Sequence, residues 1–269
     1  MGDERPIGVF DSGVGGLTVA HAIWEQLPNE AVVYVGDGAH FPYGPRPVEE
    51  IRRYAMAIAD LLVARGVKAL VVACNSVEVS AIGDIAAAAD IPVVGVIAPG
   101  VRAALRATRN GIVGVIGTEA TIRTGSYQRA IGSAATLHVA ACPVFVEHVE
   151  RGDTTSPELR RAAAGYLAPL KREGVDTVVM GCTHYPLLSG LLQLELGPDV
   201  VLVSSAEETA KDVYAELMRT DAARTSSQPP HHTFLTTGDT VAFHDLAELF
   251  LGREIARVDA AHVETGGDA

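Results

Sequence analysis

The 269-residue chain has few lysines and a deficit of positive charge. Its three lysines stand at positions 68, 171 and 211, and 21 Lys and Arg against 33 Asp and Glu leave a formal net charge of −12. Proteins that bind nucleic acid rely on clustered basic side chains, so no direct nucleic-acid partner is expected. A pyridoxal enzyme needs a Schiff-base lysine, and none of the three lysines lies in a polar loop after a predicted strand.

Long apolar runs and the features of an export signal are also lacking. The best apolar stretch, Ile91 to Val101, has about half the roughly 20 residues that a membrane span needs, and it contains two prolines. The N-terminal MGDERPIGVFDSG has acids where a signal peptide has basic residues. Three cysteines are better interpreted as thiols than as a disulfide framework. We expect a cytoplasmic protein with no membrane partner.

What the chain does contain is a regular alternation of short β-branched runs and longer amphipathic segments. The predicted strands, each apolar on both faces, are Ile7 to Phe10, Ala31 to Val35, Ala69 to Ala73, Pro92 to Ile97, Ile112 to Ile116, Leu137 to Ala141, Thr177 to Met180 and Val200 to Val203. The clearest helices are Val48 to Arg65 and Glu158 to Arg172, each followed by a glycine, Gly66 or Gly174, that suits a helix end. This pattern predicts an α/β fold with parallel sheets.

An internal repeat runs through the predicted strands. The segment from Gly66 to Ser76 aligns with that from Gly174 to His184, so that Cys74 matches Cys182 at an offset of 182 − 74 = 108. Two further pairs of strands, those beginning at Gly8 and Gly114 and at Val93 and Val200, repeat at offsets of 106 and 107. The sequence therefore predicts two pseudo-symmetric parallel-sheet α/β units that face a shared cleft.

We place residues 1–97 together with 209–269 in the first unit and residues 98–208 in the second. The segment Arg219 to His232, rich in Ser, Thr, Pro and charge, predicts a surface linker. The segment Thr233 to Asp259 then predicts a strand, a helix and a short strand, which is too little for a domain. We expect it to pack back onto the first unit.

Polar clusters follow the predicted strands in both units. They are Asp11-Ser12-Gly13, Asp37 with Pro42-Tyr43-Gly44, Cys74-Asn75-Ser76, Gly117 and Thr118 through Thr121, and Cys182-Thr183-His184-Tyr185-Pro186. Ligands of open parallel sheets bind outside the carboxyl ends of the strands. If the two units face each other, Cys74 and Cys182 approach one cleft from opposite sides.

Two opposed thiols suit inversion at a carbon that bears a hydrogen. One thiolate removes the proton from one face while the other thiol delivers a proton to the opposite face. A free thiol has a pKa of about 8.5, and the positive end of a helix at each cysteine would stabilise the thiolate. Asp11 and His184 are candidate proton partners, one for each thiol. Cys142 has no such surroundings and is interpreted as structural.

Simpler interpretations exist for several of these residues. Asp11, Thr118 and Thr121 could cap helices, Tyr43 could belong to a turn, and Glu150 could be a solvated helix charge. The Cys182-x-His184 spacing could suggest zinc, but the tight Cys-x-x-Cys spacing of a structural site is missing. Gly13-x-Gly15-Gly16 after a strand imitates a dinucleotide fingerprint, although its third glycine comes too early.

Eight motifs along nearly the whole chain together resemble glutamate racemase. They are Asp11-Ser-Gly-Val-Gly-Gly-Leu-Thr18, Pro42-Tyr-Gly44, Ala73-Cys-Asn-Ser76, Gly117-Thr118, Glu147-His-Val-Glu150, Gly181-Cys-Thr-His-Tyr-Pro186, Ser205-Ala-Glu-Glu-Thr-Ala210 and Thr236-Thr-Gly-Asp239. Aspartate racemases of the same superfamily usually carry an acid where this chain has His184, which favours glutamate.

The resemblance implies a cofactor-independent and metal-free isomerase that interconverts L- and D-glutamate and supplies D-glutamate for peptidoglycan. It implies that Cys74 and Cys182 are the acid/base groups for the D- and L-isomer, with Asp11, Glu150 and His184 assisting them. The implied substrate-binding residues are Asp11, Ser12, Pro42, Tyr43, Gly44, Asn75, Ser76, Thr118, Thr121, Thr183 and His184. A homodimer is expected.

Three positions depart from the family pattern, and other functions stay open. Ser76 stands where Thr is usual, Glu147 where Pro is common and Ser204 where Asp is common. The alternatives are an isomerase or decarboxylase of the superfamily acting on aspartate, hydantoins or malonates, and a non-catalytic role in binding DNA gyrase as a second activity. The decarboxylases of the superfamily have only one such cysteine, so the presence of two in this chain argues against them.

Overall fold

The computed structural model describes residues 2–252, 255 and 257–265, and its first half alternates strands and helices. The strands are β1 (Ile7–Asp11), β2 (Val32–Gly36), β3 (Ala69–Val72) and β4 (Val93–Val94). The helices are α1 (Leu17–Gln26), α2 (Val48–Ala64), α3 (Asn75–Ala88) and α4 (Ile97–Ala107), with a short 3₁₀ helix at Gly38–His40. Gly66 and Gly174, predicted to end α2 and the long helix of the second half, have φ of +76° and +71°.

The second half repeats this alternation, and a C-terminal segment follows it. The strands are β5 (Ile112–Gly117), β6 (Thr136–Ala141), β7 (Thr177–Gly181) and β8 (Val201–Val203). The helices are α5 (Glu119–Arg123), α6 (Ser126–Ile131), α7 (Val144–Glu150), α8 (Pro157–Arg172) and α9 (Ser189–Leu196), with a 3₁₀ helix at Tyr185–Leu188. The C-terminal elements are α10 (Ala206–Arg219), β9 (Thr233–Thr236), α11 (Thr240–Leu251) and β10 (Val258–Ala260).

The strands form two parallel sheets with matching topology. The first has the order β10-β9-β2-β1-β3-β4 and the second the order β6-β5-β7-β8. The orders β2-β1-β3-β4 and β6-β5-β7-β8 are equivalent under the predicted repeat, so the prediction of two pseudo-symmetric α/β units is confirmed. The C-terminal strands extend the first sheet through β9, which pairs with β2.

Each face of the first sheet is covered by helices. Ile7, Val9 and Tyr34 point to the core under α1, α10 and α11. Phe10 and Val35 point to the core under α2 and α3. This two-sided burial explains why the central strands are continuous apolar runs. None of the described helices is long and apolar enough to cross a membrane. The domain bounds given above stay a prediction.

Some strand predictions need correction. β6 and β8 lie at the edges of their sheet and are partly exposed, so they are not buried on both faces as predicted. The predicted strand Pro92 to Ile97 is reduced to β4, because the backbone N–H groups of Val96 and Ile97 donate to the Glu78 carboxylate instead of pairing with a strand. The chain enters α4 at that point. The remaining strands match their predicted positions within one residue.

Candidate active site

A cavity of about 210 Å³ lies where the carboxyl ends of the two sheets meet. Both units contribute to its wall. Its lining residues are Ser12, Phe41, Pro42, Tyr43, Gly44, Pro45, Cys74, Asn75, Ser76, Thr118, Glu119, Pro143, Val146, Glu147, Cys182, Thr183 and His184. The predicted clusters after β1, β3, β5 and β7 therefore converge on one place, as the rule for parallel sheets predicts.

Cys74 lies two residues after β3 and is the N-cap of α3, so the helix N-terminus expected at this thiol is present. Its thiol donates to Ser12 Oγ at 3.6 Å, and Ser12 in turn donates to Asp11 Oδ1 at 3.1 Å. Burial and the nearby charge of Asp11 raise the pKa of Cys74 to about 12, although the N–H of Val77 in the first turn of α3 works in the opposite direction. Cys74 is therefore a protonated thiol at neutral pH, with a hydroxyl and a carboxylate behind it.

Cys182 follows β7 and has a different partner. Its sulfur lies 3.9 Å from Nδ1 of His184, and Nε2 of His184 lies 2.6 Å from Oε1 of Glu150. Burial opposes the charged imidazole, but the contacts with Cys182 and Glu150 outweigh it and raise the pKa of His184 to about 10. A cation beside a cysteine favours its thiolate form. The helix that begins after Cys182 is a short 3₁₀ helix, Tyr185–Leu188, and not an α-helix as at Cys74.

Two of the polar contacts between the units involve residues close to the cysteines. Thr183, next to Cys182, donates to Asp11 Oδ2 at 2.9 Å. Ser76, two residues after Cys74, shares a 2.9 Å hydrogen bond with Thr118, the residue directly after β5. Each cysteine-bearing loop is thus tied to the first strand of the opposite unit. These ties fix the two thiols relative to each other.

The donors around the cavity are mostly neutral. The hydroxyls of Ser12, Ser76, Thr118 and Thr183 and the amide of Asn75 line it. The first N–H groups of α3 have no partner within the helix, as at any helix N-terminus. No lysine or arginine is found among the described lining residues. An anionic ligand would therefore be held by hydroxyl, amide and backbone N–H donors together with His184, and not by a cluster of basic side chains.

The structure brings most of the predicted site residues to the cavity wall and places three behind it. Asp11, Thr121 and Glu150 are not in the lining, but each contacts a residue that is: Asp11 contacts Ser12 and Thr183, Thr121 contacts Thr118, and Glu150 contacts His184. Direct substrate contact by Asp11 and Thr121 stays a prediction.

Several simpler interpretations can now be decided. Asp11 does not cap α1, since its carboxylate accepts from the N–H of Gly13 and the helix begins only at Leu17. Thr118 does cap α5 through the N–H of Thr121. Glu150 is not simply a solvated charge, because its side chain is 18% exposed and holds His184. Cys142 is fully buried in the core of the second unit.

Tyr43 lines the cavity, but its hydroxyl points away from it. The hydroxyl donates to the buried carboxylate of Asp37, which also contacts His40 Nδ1 at 2.9 Å and accepts from Thr237 at 2.5 Å. The neighbouring Gly44 accepts a hydrogen bond from the N–H of Ala120 at 3.1 Å. The loop of Pro42, Tyr43 and Gly44 is therefore anchored on both sides of the cleft.

Six lining residues were not predicted: Phe41, Pro45, Glu119, Pro143, Val146 and Glu147. Phe41 and Pro45 each adjoin a predicted cluster, and Glu119 lies inside the cluster Thr118 through Thr121 but was not chosen as a site residue. Pro143 and Val146 carry no polar signal. Glu147, noted as a departure from the family pattern, lines the cavity, and its Oε2 lies 3.7 Å from Nη2 of Arg151. Ser204, another departure, accepts from the N–H of Ala206 at 3.3 Å.

The glycine-rich loop after β1 is closely packed and does not offer an open phosphate site. A Cβ on Gly15 would lie 2.4 Å from Thr183 Oγ1 and 2.5 Å from His184 Nδ1. These side chains of the second unit occupy the space in which a dinucleotide pyrophosphate would approach the loop. Among the described residues, no three His, Cys, Asp or Glu side chains cluster as a metal site.

Comparison with known proteins agrees with this geometry. The family model for Asp/Glu/hydantoin racemases matches residues 7–213. The glutamate racemase of Corynebacterium diphtheriae is 53% identical over 96% of this chain and 98% of its own length. The chain belongs to the Asp/Glu/hydantoin racemase family. Within that family its resemblance to the glutamate racemases, proposed above from eight motifs, is confirmed, and the chain is an isomerase.

Solved structures of this family share the fold. The glutamate racemase isoform RacE1 of Bacillus anthracis superposes with a TM-score of 0.91 at 42% identity, covering 97% of this chain and 98% of that one. The glutamate racemase of Francisella tularensis, solved in complex with D-glutamate, superposes with a TM-score of 0.90 at 32% identity. The match covers 97% of this chain and 98% of that one. The two-unit architecture is therefore that of the glutamate racemases.

Proposed function

We propose that this racemase interconverts L- and D-glutamate by a two-thiol mechanism without a cofactor. The observation that carries the proposal is that Cys74 and Cys182, from equivalent positions of two repeated units, line one cavity. A single base would have to return the proton to the face from which it came. Two opposed groups permit removal from one face and delivery to the other in one bound state.

In the direction from L-glutamate, Cys182 acts as the thiolate base. The His184 imidazolium beside it stabilises the thiolate, and Glu150 holds that imidazole. The thiolate removes the Cα proton, and the electron pair of the C–H bond remains on the substrate as a carbanion. The Cys74 thiol then protonates the opposite face. At the end Cys182 is a thiol and Cys74 a thiolate, which is the state required for the reverse reaction.

The thiolate left at Cys74 has its own stabilising partners. The N–H of Val77 points at the sulfur from the first turn of α3, and Ser12 lies 3.6 Å away. Burial raises the pKa of Cys74, so its protonated form is favoured at neutral pH, and Cys74 is the proposed proton donor in this direction. The neutral donors of the cavity would hold the two substrate carboxylates.

We further propose that the product supplies D-glutamate for peptidoglycan and that the enzyme is a cytoplasmic homodimer. The glutamate racemase of Francisella tularensis was solved with D-glutamate, which supports this isomer as a ligand of the shared fold. His184, where aspartate racemases usually carry an acid, supports glutamate over aspartate as the substrate.

Deuterium exchange tests the proposal directly. The purified protein is incubated with L-glutamate in deuterated water without added cofactor, and optical rotation and deuterium at Cα are followed together. We expect rotation to decay to zero while deuterium enters Cα. Reaction with aspartate but not glutamate would show that the proposed substrate is wrong. Absence of exchange with both amino acids would overturn the racemase proposal.

A further inference from the structure

Tyr127 of α6 forms a buried contact with Asn75 across the boundary between the two sheets. Its hydroxyl donates to Oδ1 of Asn75 at 2.8 Å, and the two side chains are 1% and 3% exposed. Asn75 is the first residue of α3, next to Cys74, and it lines the cavity. Tyr127 itself is not in the cavity wall, so any effect it has on a ligand must pass through Asn75.

An asparagine amide has two chemically different ends, one that accepts and one that donates. A carboxylate in the cavity can bind only the Nδ2 end, and it repels Oδ1. Rotation by 180° about the last side-chain bond exchanges the two ends with little change in shape. The orientation of Asn75 is therefore decided by the hydrogen bonds of its outer side.

The surroundings of Tyr127 leave one choice for its proton. A buried phenol must donate its O–H to an acceptor, and within the described residues Asn75 Oδ1 is the acceptor it contacts. Two glycines pack against the Tyr127 hydroxyl: a Cβ added to Gly181 would lie 3.3 Å from its oxygen, and one added to Gly100 would lie 3.9 Å from it. Burial, reinforced by the charges of Glu78 and Cys182, raises the pKa of Tyr127 above its ordinary value, so it stays a donor at any working pH.

We propose that Tyr127 is a positioning residue that fixes the amide of Asn75 with Nδ2 turned into the cavity, where it donates to a substrate carboxylate. The inference rests on the proposed function, because it assigns a partner to the bound glutamate. It also links binding to the arrangement of the two units: Asn75 belongs to α3 and Tyr127 to α6, so the amide is oriented only when these helices are in contact.

The test is a comparison of Tyr127→Phe, Asn75→Ala and the double variant by steady-state racemisation. Tyr127→Phe keeps the ring and removes only the donor. Because the variant leaves the Asn75 amide free to turn its donor away from the charged carboxylate, we expect KM for glutamate to rise about tenfold, with a smaller change in kcat. In the Asn75→Ala background, Tyr127→Phe should leave KM unchanged, because the residue through which it acts is gone.

Two results would overturn the inference. One is an unchanged KM in Tyr127→Phe, and the other is an equal further rise in KM in the Asn75→Ala background, which would indicate a merely structural role. If Tyr127→Phe does not fold, Asn75→Asp provides the second variant: it retains an acceptor for Tyr127 but replaces Nδ2 by oxygen. A KM of the wild-type size in Asn75→Asp would show that Nδ2 does not donate to the substrate.

Controls separate this inference from the proposed function. Tyr214→Phe removes a hydroxyl from an exposed tyrosine of α10 and should match the wild type in KM and kcat. An inactive wild-type protein in the same assay would contradict the proposed function itself. An active wild type with a normal Tyr127→Phe variant would contradict only the role of Tyr127.

Discussion

The Nε2 atom of His184 and the Oε1 atom of Glu150 lie 2.6 Å apart, while Nδ1 of the same ring faces the sulfur of Cys182. Glu150 ends α7, and His184 follows β7. The pair therefore joins two separate elements of the second unit behind one thiol. On the opposite side, the Cys74 thiol is backed by Ser12 and Asp11. The two thiols have different electrostatic surroundings even though their positions are related by the repeat.

The first prediction concerns Glu150→Gln. Glu150 contributes to the raised pKa of His184, about 10, and removing its charge shifts that pKa toward the ordinary value of 6.5. An opposite charge at this distance typically shifts a pKa by 1–3 units. If catalysis from L-glutamate needs the imidazolium, we expect the alkaline limb of the kcat profile to move down by at least about one pH unit. The measurement is kcat between about pH 6 and 10.

Glu158→Gln is the matched control, because Glu158 lies on the same unit with its side chain 75% exposed. Its kcat profile should superpose on that of the wild type. A Glu150→Gln profile with an unmoved alkaline limb would show that Glu150 does not act through the charge of His184.

The second prediction concerns the two thiols. Cys74→Ala and Cys182→Ala each remove one acid/base group and leave the other, so neither can complete inversion at Cα. General acid/base groups typically contribute about 10²- to 10⁴-fold, and we expect losses of racemisation in this range. Cys142→Ala, a change at the buried cysteine outside the cavity, should retain racemisation. Full racemisation by either single-thiol variant would rule out the two-thiol mechanism.

The sequence was sufficient to predict the positions of most strands, the repeat and the meeting of Cys74 with Cys182, because these depend on periodicity and on the rule that parallel strands share a carboxyl edge. It could not distinguish residues in the cavity wall from those behind it. Asp11, Thr121 and Glu150 carry the same polar signal as Ser12, Thr118 and His184, and only side-chain packing separates the two groups.

Long-range partners were also beyond prediction from the sequence. Tyr127 lies in an ordinary amphipathic segment, and its contact with Asn75 spans 52 positions in the chain. The edge strands β6 and β8 were predicted to be apolar on both faces, as β5 and β7 are. Their exposure follows from sheet order, which a local pattern of hydrophobicity does not encode.

The third prediction concerns Thr183→Val. The buried carboxylate of Asp11 accepts hydrogen bonds from Ser12, the N–H of Gly13 and Thr183, and the valine variant removes the donor from the opposite unit. Loss of one partner from a buried polar group costs about 1–3 kcal/mol. We expect that decrease in the free energy of unfolding, measured with urea, together with reduced kcat.

Thr154→Val is the control for Thr183→Val, since the side chain of Thr154 has no hydrogen bond within the described part of the chain and lies in a partly exposed turn. It should change the free energy of unfolding by less than about 0.5 kcal/mol. A Thr183→Val variant as stable as this control would show that the cross-cleft bond to Asp11 contributes nothing to holding the units together.

The last prediction concerns Glu78→Gln at the junction of β4 and α4. The Glu78 carboxylate accepts from the N–H groups of Val96 and Ile97 at 2.5 and 2.9 Å, and burial raises its pKa from 4.5 to about 7 despite these two bonds. A raised pKa means that the folded protein holds this proton after the unfolded chain has released it. The stability contributed by Glu78 is therefore present below about pH 4.5 and is lost as the pH rises toward 7.

Glutamine keeps the acceptor oxygen but does not titrate. The stability of the wild type relative to Glu78→Gln should therefore decrease between pH 4.5 and 7.5, by an amount on the order of 3 kcal/mol. Urea unfolding of both proteins at several pH values measures the difference, and Glu158→Gln should show no such trend. A difference that is constant with pH would mean that the two N–H donors of α4 fully offset the burial of the carboxylate. If the stability of the wild type relative to Glu78→Gln instead rises with pH, the two N–H donors stabilise the ionised Glu78 carboxylate more than burial destabilises it.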